Sequence, residues 1–255
     1  MTGEADAGVQ ARETYDAFAA SYDEFNHRYK YERWTGKLLE RARAAGLAGD
    51  RLLDVGCGTG LSFAAMLDLG FEVTGCDISP AMLARARERT GGRATLLEAD
   101  MRELPVLGEF DLAWAVNDAI NYLLTSADLR DTLIGMGRNL APGGVVLFDV
   151  NTLAGYRSFF SGETQVDHDG RRFSWTGSDS VEAPPGSIFE ASFDGEGAGI
   201  TPHVHRQRHF PEEEVRKAVE ASGLRLVEVA GELDGELSSG VDEERHTKAV
   251  YVCTA

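Results

Sequence analysis

The chain has 255 residues, 43% hydrophobic and 26% charged, a composition suited to one globular domain of ordinary size, with or without an insertion. Lys and Arg total 25 against 42 Asp and Glu, a formal net charge of −17; this argues against nucleic acid and anionic membrane surfaces, because affinity for phosphates comes from basic patches. Cys57, Cys76 and Cys253, odd in number and in or beside apolar strands, read as buried free thiols of a reducing, cytoplasmic compartment, and with no apolar run approaching ~18 residues neither a membrane span nor a secretory signal is expected.

Met1 to Gln10 is small and polar and reads as a frayed tail. From Ala11, the residues Tyr15, Phe18, Ala19, Tyr22 and Phe25 recur at spacings of three and four, one face of an amphipathic helix. Such an aromatic stripe packs a helix on a body; the polar tips of Tyr15 and Tyr22 leave contact with a ligand as an equal use. A second helix is expected over His27 to Gly46, with Trp34, Leu38, Leu39 and Ala42 inward and Gly46 ending it.

The chain is organised around Arg51 to Gly60, RLLDVGCGTG. The apolar run Leu52 to Val55 meets Gly56, Gly58 and Gly60, and Leu61 to Leu67 follows, apolar at helical spacing: strand, tight loop, helix. Glycines let the backbone take positive φ and let a ligand approach with no Cβ in the way. The helix N-terminus behind them offers unpaired N–H groups to an anionic part of that ligand. A dinucleotide fingerprint places its third glycine one residue later. Here Asp54 stands two residues before the first glycine, and a second strand, Glu72 to Asp77, ends in a carboxylate able to accept both hydroxyls of a ribose. A third strand, Ala94 to Glu98, leads to Asp100-Met101, an acid and a flexible apolar side chain where an adenine would lie. The glycine loop lacks the basic residue that would suit a polyphosphate.

Ser79 caps the next helix, with Pro80 in its first turn and Met82 and Leu83 inward. The fourth strand is Phe110 to Ala115, and Val116 to Leu124 follows at the carboxyl edge, where open α/β sheets bind ligands. Capping of the next helical turn is the other reading of Asp118 and Asn121. A helix over Ser126 to Asn139, a turn at Ala141 to Gly144 and a fifth strand, Val145 to Asp149, come next. From Gly155 to His209, alternating stretches (Arg172 to Thr176, Ile188 to Phe193) between glycine- and proline-rich turns predict an inserted antiparallel meander. Its last strand, Pro202 to His209, puts His203, His205, Gln207 and His209 on one face. Histidines so placed suit a metal or a general base; without thiols or acids to complete a shell, no metal is expected. A helix, Pro211 to Ser222, and two strands, Leu224 to Ala230 and Lys248 to Cys253, close the chain, joined by an acidic, solvated, hairpin-like segment from Glu232 to Glu244.

The LLDVGCGTG run, the acid ending the second strand and Asp100-Met101 after the third resemble, in order, three motifs of the class I S-adenosylmethionine (SAM) dependent methyltransferases. The likeness is strong from Arg51 to Asp149 and looser beyond, continuing in Pro142-Gly143-Gly144 and Asp149-Val150-Asn151-Thr152. It implies an α/β fold: a Rossmann-like, seven-stranded, mostly parallel sheet with helices on both faces. A helical lid (1–46), a SAM-binding core (47–150), a small antiparallel β insertion after strand five on the substrate side (151–210) and the rest of the core sheet (211–255) would make up the chain.

The resemblance further implies SAM as cofactor and S-adenosylhomocysteine as product. The residues it places at the cofactor are Asp54, Gly56, Cys57, Gly58, Gly60, Asp77, Ile78, Met82, Asp100, Met101 and Asn117, with Tyr15 and Tyr22 of a YDxFAxxYDxF lid and Trp34 of a YExW segment. Core packing is an equal reading of Trp34. Asp118, Asn121 and Tyr122 match a DxxNYL segment, and His205-Arg206-Gln207-Arg208 matches an HxQR-like strand that needs no ion. The expected acceptor is a small molecule of natural-product or amino-sugar type, with an amine slightly ahead of a hydroxyl. Asn121, Tyr122, Asn151 and Arg206 would bind it, and Tyr22, Asp118 and His205 are the candidate bases. If it is a nucleotide sugar, Arg157, Arg171, Arg172, Arg206 and Arg208 are where a diphosphate should go. Competing readings are a tRNA or protein methyltransferase and a non-catalytic SAM-binding regulator. No nucleic acid or membrane partner is expected, and a homodimer stays open.

Overall fold

A computed structural model describes residues 4–178, 182–197 and 200–255. Residues 1–3 of the expected tail and residues 179–181 and 198–199 of the expected meander lie outside the described residues. The rest of the tail is helical, not frayed: α1 runs over Glu4–Phe18. Its alanines favour helix, and Gln10 and Arg12 find partners in Arg206 (3.1 Å) and Glu98 (3.0 Å). The single amphipathic helix expected from the aromatic spacing is two, because the chain breaks after Phe18 and resumes as α2 (Tyr22–Phe25). Helix α3 (Tyr31–Ala44) begins later than expected. Asn26 and His27 turn their side chains back onto the Tyr22 and Glu24 carbonyls (both 2.8 Å), local bonds that compete with helix.

The core then alternates: β1 (Arg51–Val55), α4 (Leu61–Asp68), β2 (Glu72–Asp77), α5 (Pro80–Thr90), β3 (Thr95–Glu98), β4 (Phe110–Ala115), α6 (Ser126–Arg138) and β5 (Leu140–Asn151). After β5 come α7 (Leu153–Phe159), β6 (Glu163–His168), β7 (Arg171–Gly177), β8 (Ile188–Glu196) and β9 (His203–Arg208). The chain ends with α8 (Glu212–Ala221), β10 (Arg225–Leu233), β11 (Glu236–Ser239) and β12 (Lys248–Thr254).

The large sheet has the order β11-β10-β12-β5-β4-β1-β2-β3, parallel from β3 to β5 and antiparallel beyond. The seven expected strands are present, and the acidic segment contributes an eighth. There Asp234 (φ 51°) and Gly235 (φ 76°) form a two-residue turn between the paired Leu233 and Glu236, the geometry in which an Asp-Gly pair closes a hairpin. The insertion is a separate antiparallel sheet, β6-β7-β8-β9, whose unforeseen first strand arises in the same way from Asp169 (φ 47°) and Gly170 (φ 78°).

Both faces of the large sheet are covered. On one, Leu53, Val55, Ala113, Val146 and Phe148 pack with Leu133 of α6 and Val219 of α8. The alternate residues Leu52, Leu112, Trp114 and Leu147 pack with Leu38 of α3, Phe63 of α4 and Leu83 of α5. Each buried Leu, Val or Phe among them contributes roughly 1.5–3 kcal/mol of transfer free energy. A third cluster joins the helical lid to the insertion through Phe18, Phe173 and Phe193. Strand order reverses between β1 and β4, which puts the ligand-binding crevice at their carboxyl ends, beneath lid and insertion. Among the described residues, no helix is long and apolar enough to cross a membrane.

Candidate active site

The loop after β1 turns through positive φ at Gly56 (75°), Gly58 (52°) and Gly60 (82°). A Cβ on Gly56 would stand 3.0 Å from Cβ of Ala119 and 3.2 Å from Cε of Met101, so the bare backbone is what leaves this crevice open. A cleft runs along the loop. Its walls include Asp77 and Ile78 after β2, Asp100 and Met101 after β3, Val116 and Asn117 after β4, and Gly8, Tyr15, Tyr22 and Tyr31 from the helices above.

The carboxylates of this cleft are held firmly. Asp77 accepts the Gly58 N–H (2.8 Å) on one oxygen and the Ser79 N–H (2.9 Å) on the other. Burial nevertheless pushes it up to about 6. Burial also works on Asp100, but Arg102 outweighs it and holds that carboxyl below its ordinary value. Behind the wall, Asp54 accepts from Ser62 (2.6 Å) and leaves Oδ1 without a partner; burial pushes it up to about 7. Asn117 Oδ1, in the cleft wall, is likewise buried and unpartnered. Carboxylates for a ribose, apolar Ile78 and Met101 for a base, a glycine cradle and an orphaned acceptor for an amine suit SAM.

A second cavity lies between lid and insertion. The two share Tyr15, Tyr22, Tyr31, Asn117 and Tyr122, which form a junction. Phe18, Phe25, Phe160 and Trp175 line the second cavity, and Asp118, Asn151, His205 and Lys248 are its polar wall. Lys248 Nζ is 3.3 Å from Asp149, 3.5 Å from Asp118 and 3.2 Å from Asn151. Burial alone would lower its pKa; the two carboxylates outweigh that and keep it cationic. Burial raises Asp118, against the pull of Lys248.

Asn117 and Asp118 both take the left-handed conformation (φ 59° each), which Asn and Asp tolerate best after glycine. Asp149, fully buried, accepts both of their N–H groups, at 2.8 and 2.7 Å. This pins the junction loop to the end of β5. From the other side, Asn121 donates to the Arg208 carbonyl (2.9 Å) and accepts from the Asn151 N–H (2.9 Å). Gln207 donates to Asp118 (2.6 Å). At the junction itself the Tyr22 and Tyr31 hydroxyls are 3.0 Å apart. The Tyr122 hydroxyl is 2.6 Å from Nδ1 of His205, whose Nε2 is 3.0 Å from Nε2 of His203.

Two latches hold the lid. Asp16 accepts from the Ser79 hydroxyl (2.6 Å), and Asp23 accepts from Thr59 (2.6 Å) in the glycine loop and Arg89 (2.6 Å).

Of the residues expected at the cofactor, Tyr15, Tyr22, Gly56, Cys57, Gly58, Asp77, Ile78, Asp100, Met101 and Asn117 line the first cavity. Trp34 and Met82 lie in the packed core, Gly60 caps α4, and Asp54 sits behind Ser62. Of the expected acceptor-side residues, Tyr22, Asp118, Tyr122, Asn151 and His205 line the second cavity. Asn121 acts as the cross-tie described, and Arg206 pairs with Glu190 (2.8 Å) outside it. The arginines suggested for a diphosphate are not brought there either: Arg157 pairs with Glu244, Arg171 with Glu24, Arg172 with Asp167 and Arg208 with Glu214. Sequence reasoning missed Lys248, the role of Asp149 and the aromatic wall from α7 and β7. A lone lysine opening the apolar run of β12 was the one visible signal; its pairing opposite Asn151 is a matter of register. Among the described residues no group of three or more metal-ligating side chains gathers.

A Rossmann-like sheet with this glycine cradle, acid-ended strands and a lidded second cavity defines a methyltransferase that uses SAM. A family model described as a methyltransferase domain matches residues 52–144. YqeM of Bacillus subtilis (strain 168), which carries the name of a methyltransferase with no substrate stated, is 32% identical over 92% of this chain and 96% of its own. The chain therefore belongs to the SAM-dependent methyltransferase family, and SAM is its cofactor. It is also similar to the dTDP-3-amino-3,4,6-trideoxy-alpha-D-glucopyranose N,N-dimethyltransferase of Streptomyces venezuelae, at 29% identity over 79% of this chain and 86% of that one. Among solved structures, SAM-bound CalS10, an amino pentose methyltransferase from Micromonospora echinaspora, aligns with a TM-score of 0.69 and 27% identity over 92% of this chain and 96% of that one.

Proposed function

We propose that the chain transfers a methyl group from SAM to the amine nitrogen of a small molecule of natural-product type. The observation that carries this reading is the junction: a methyl presented from the first cavity faces an atom held in the second across Tyr15, Tyr22, Tyr31, Asn117 and Tyr122. Bound SAM supplies a sulfonium methyl for in-line displacement, so the protein's work is alignment and proton control.

An amine arrives as an ammonium, and this cavity suits a cation. Its aromatic faces attract one, and Asp118 with Asp149 exceed Lys248 by one negative charge. Before attack the ammonium must give up a proton. Both nitrogens of His205 are already engaged, and Tyr22 is buried and raised well above the ordinary phenol value. Asp118 lines the cavity with its pKa raised by burial, which makes it the better base. The Streptomyces venezuelae relative, named as an N,N-dimethyltransferase, supports nitrogen as the acceptor atom. Among the described residues that line the second cavity there is no arginine, which favours an amine on an apolar body without a diphosphate.

The test is competition between two halves of a small-molecule extract of the host, one with its amines blocked by acylation, each incubated with the protein and methyl-labelled SAM. Blocking should abolish incorporation; undiminished label in the blocked half would overturn the reading.

A further inference from the structure

One line of hydrogen bonds leaves the junction through the insertion, and its direction is determined. The Thr201 carbonyl can only accept, so Nδ1 of His203, 2.7 Å away, carries a hydrogen. Burial lowers the pKa of both histidines, that of His205 well below the ordinary value, so both rings are neutral near neutral pH. A neutral His203 with its hydrogen on Nδ1 offers a bare Nε2. The facing Nε2 of His205, at 3.0 Å, must therefore donate. That leaves Nδ1 of His205 bare, and the Tyr122 hydroxyl, at 2.6 Å, donates to it.

We propose that this chain of Thr201, His203 and His205 fixes Tyr122 as a hydrogen-bond acceptor toward the junction, where its oxygen receives an N–H of the acceptor amine. The inference rests on the amine reading and deepens it. Tyr122 is then a catalytic residue, and His205 and His203 are positioning residues that act through it. With one N–H held by Tyr122, the nitrogen lone pair is turned toward the methyl. The N–C bond forms as the C–S bond breaks with its electrons to sulfur, the ammonium proton having passed to Asp118. A tertiary amine has no N–H to offer once its lone pair is free, so methylation stops at the tertiary stage.

Acid reverses the chain. A proton on Nε2 of His203 makes that atom a donor, moves the His205 hydrogen to Nδ1 and turns the Tyr122 hydrogen into the junction. The titratable groups facing the pair are Tyr15 from α1 and Tyr122; Phe18 of α1, Trp175 of β7 and Phe193 of β8, which also pack on the rings, do not titrate.

The test uses the full chain labelled with nitrogen-15 in its histidine rings, read by long-range proton–nitrogen correlation near neutral pH and needing no acceptor. His203 should carry its hydrogen on Nδ1 and His205 on Nε2; a hydrogen on Nδ1 of His205, or a cationic His205, would overturn the proposal. A paired readout replaces half-buried His203. His203→Gln keeps an acceptor opposite His205, whereas His203→Lys imposes a donor and should lower label transfer to host extract about tenfold relative to it, at unchanged SAM affinity. Equal activity of the two folded variants would contradict the assignment. Should the labelled product prove to be an O-methyl compound, the amine reading fails while the nitrogen-15 result still decides the direction of the chain.

Discussion

Asp54 carries a cost that the free protein bears whenever the residue is ionised. Its carboxyl is raised to about 7 by burial, against about 3.9 in an unfolded chain. The folded state thus holds this proton more tightly, so the contribution to stability is complete below about pH 4 and is lost as pH rises through about 7. Asp77, raised to about 6, acts with the same sign. Replacing Asp54 with Asn should flatten the fall in urea midpoint between about pH 5 and pH 8, gaining on the order of 2–4 kcal/mol at the upper end. A wild-type midpoint no more pH-sensitive than that of the variant would count against this. Asp149, which accepts two backbone N–H bonds and pairs with Lys248, anchors a loop in left-handed geometry. Asp149→Ala leaves a buried ammonium with less compensation and should cost about 3–5 kcal/mol in denaturant unfolding, together with label transfer.

At the scale of elements, the lid is held to the cofactor loops by Asp16 on Ser79 and Asp23 on Thr59 and Arg89. Removing both carboxylates should weaken SAM binding about tenfold by calorimetry while leaving thermal stability nearly unchanged, because these bonds are partly exposed and close a cover rather than the core. An unchanged affinity would show that the lid does not need its latches. Strands β2 and β4 were legible to the residue because each is a short apolar run between turn signals. Strands β6 and β11 were not, because their charged residues outweighed two Asp-Gly pairs that set both hairpins. The first two turns of α1, Glu4 to Gln10, were hidden by their small, polar composition, and the partners of that helix on β9 and β3 are distant in sequence.

Across the whole molecule the same contrast divides the site. The cofactor cavity was readable because its walls are the ends of successive strands, β1, β2, β3 and β4, each marked by a local motif. The acceptor cavity draws on both lid helices, α3, α7, β6, β7, β9 and β12; local motifs marked Tyr22, Asp118, Tyr122, Asn151 and His205, but no local pattern reports Lys248 or the aromatic wall. Lid and insertion close over the cleft through one aromatic cluster, so SAM should stabilise the protein as a unit. At a concentration of about 100 times its Kd, SAM should add about 2.7 kcal/mol, a rise in Tm of roughly 5–10 °C. The most direct test of the central claim, that a methyl crosses the tyrosine junction to an amine, is to supply carbon-13 methyl SAM with host small-molecule extract and read the product by proton–carbon correlation. A labelled N-methyl resonance is expected in the small-molecule pool and should be lost in Tyr122→Phe. An O-methyl resonance, or label confined to RNA or protein, would contradict it.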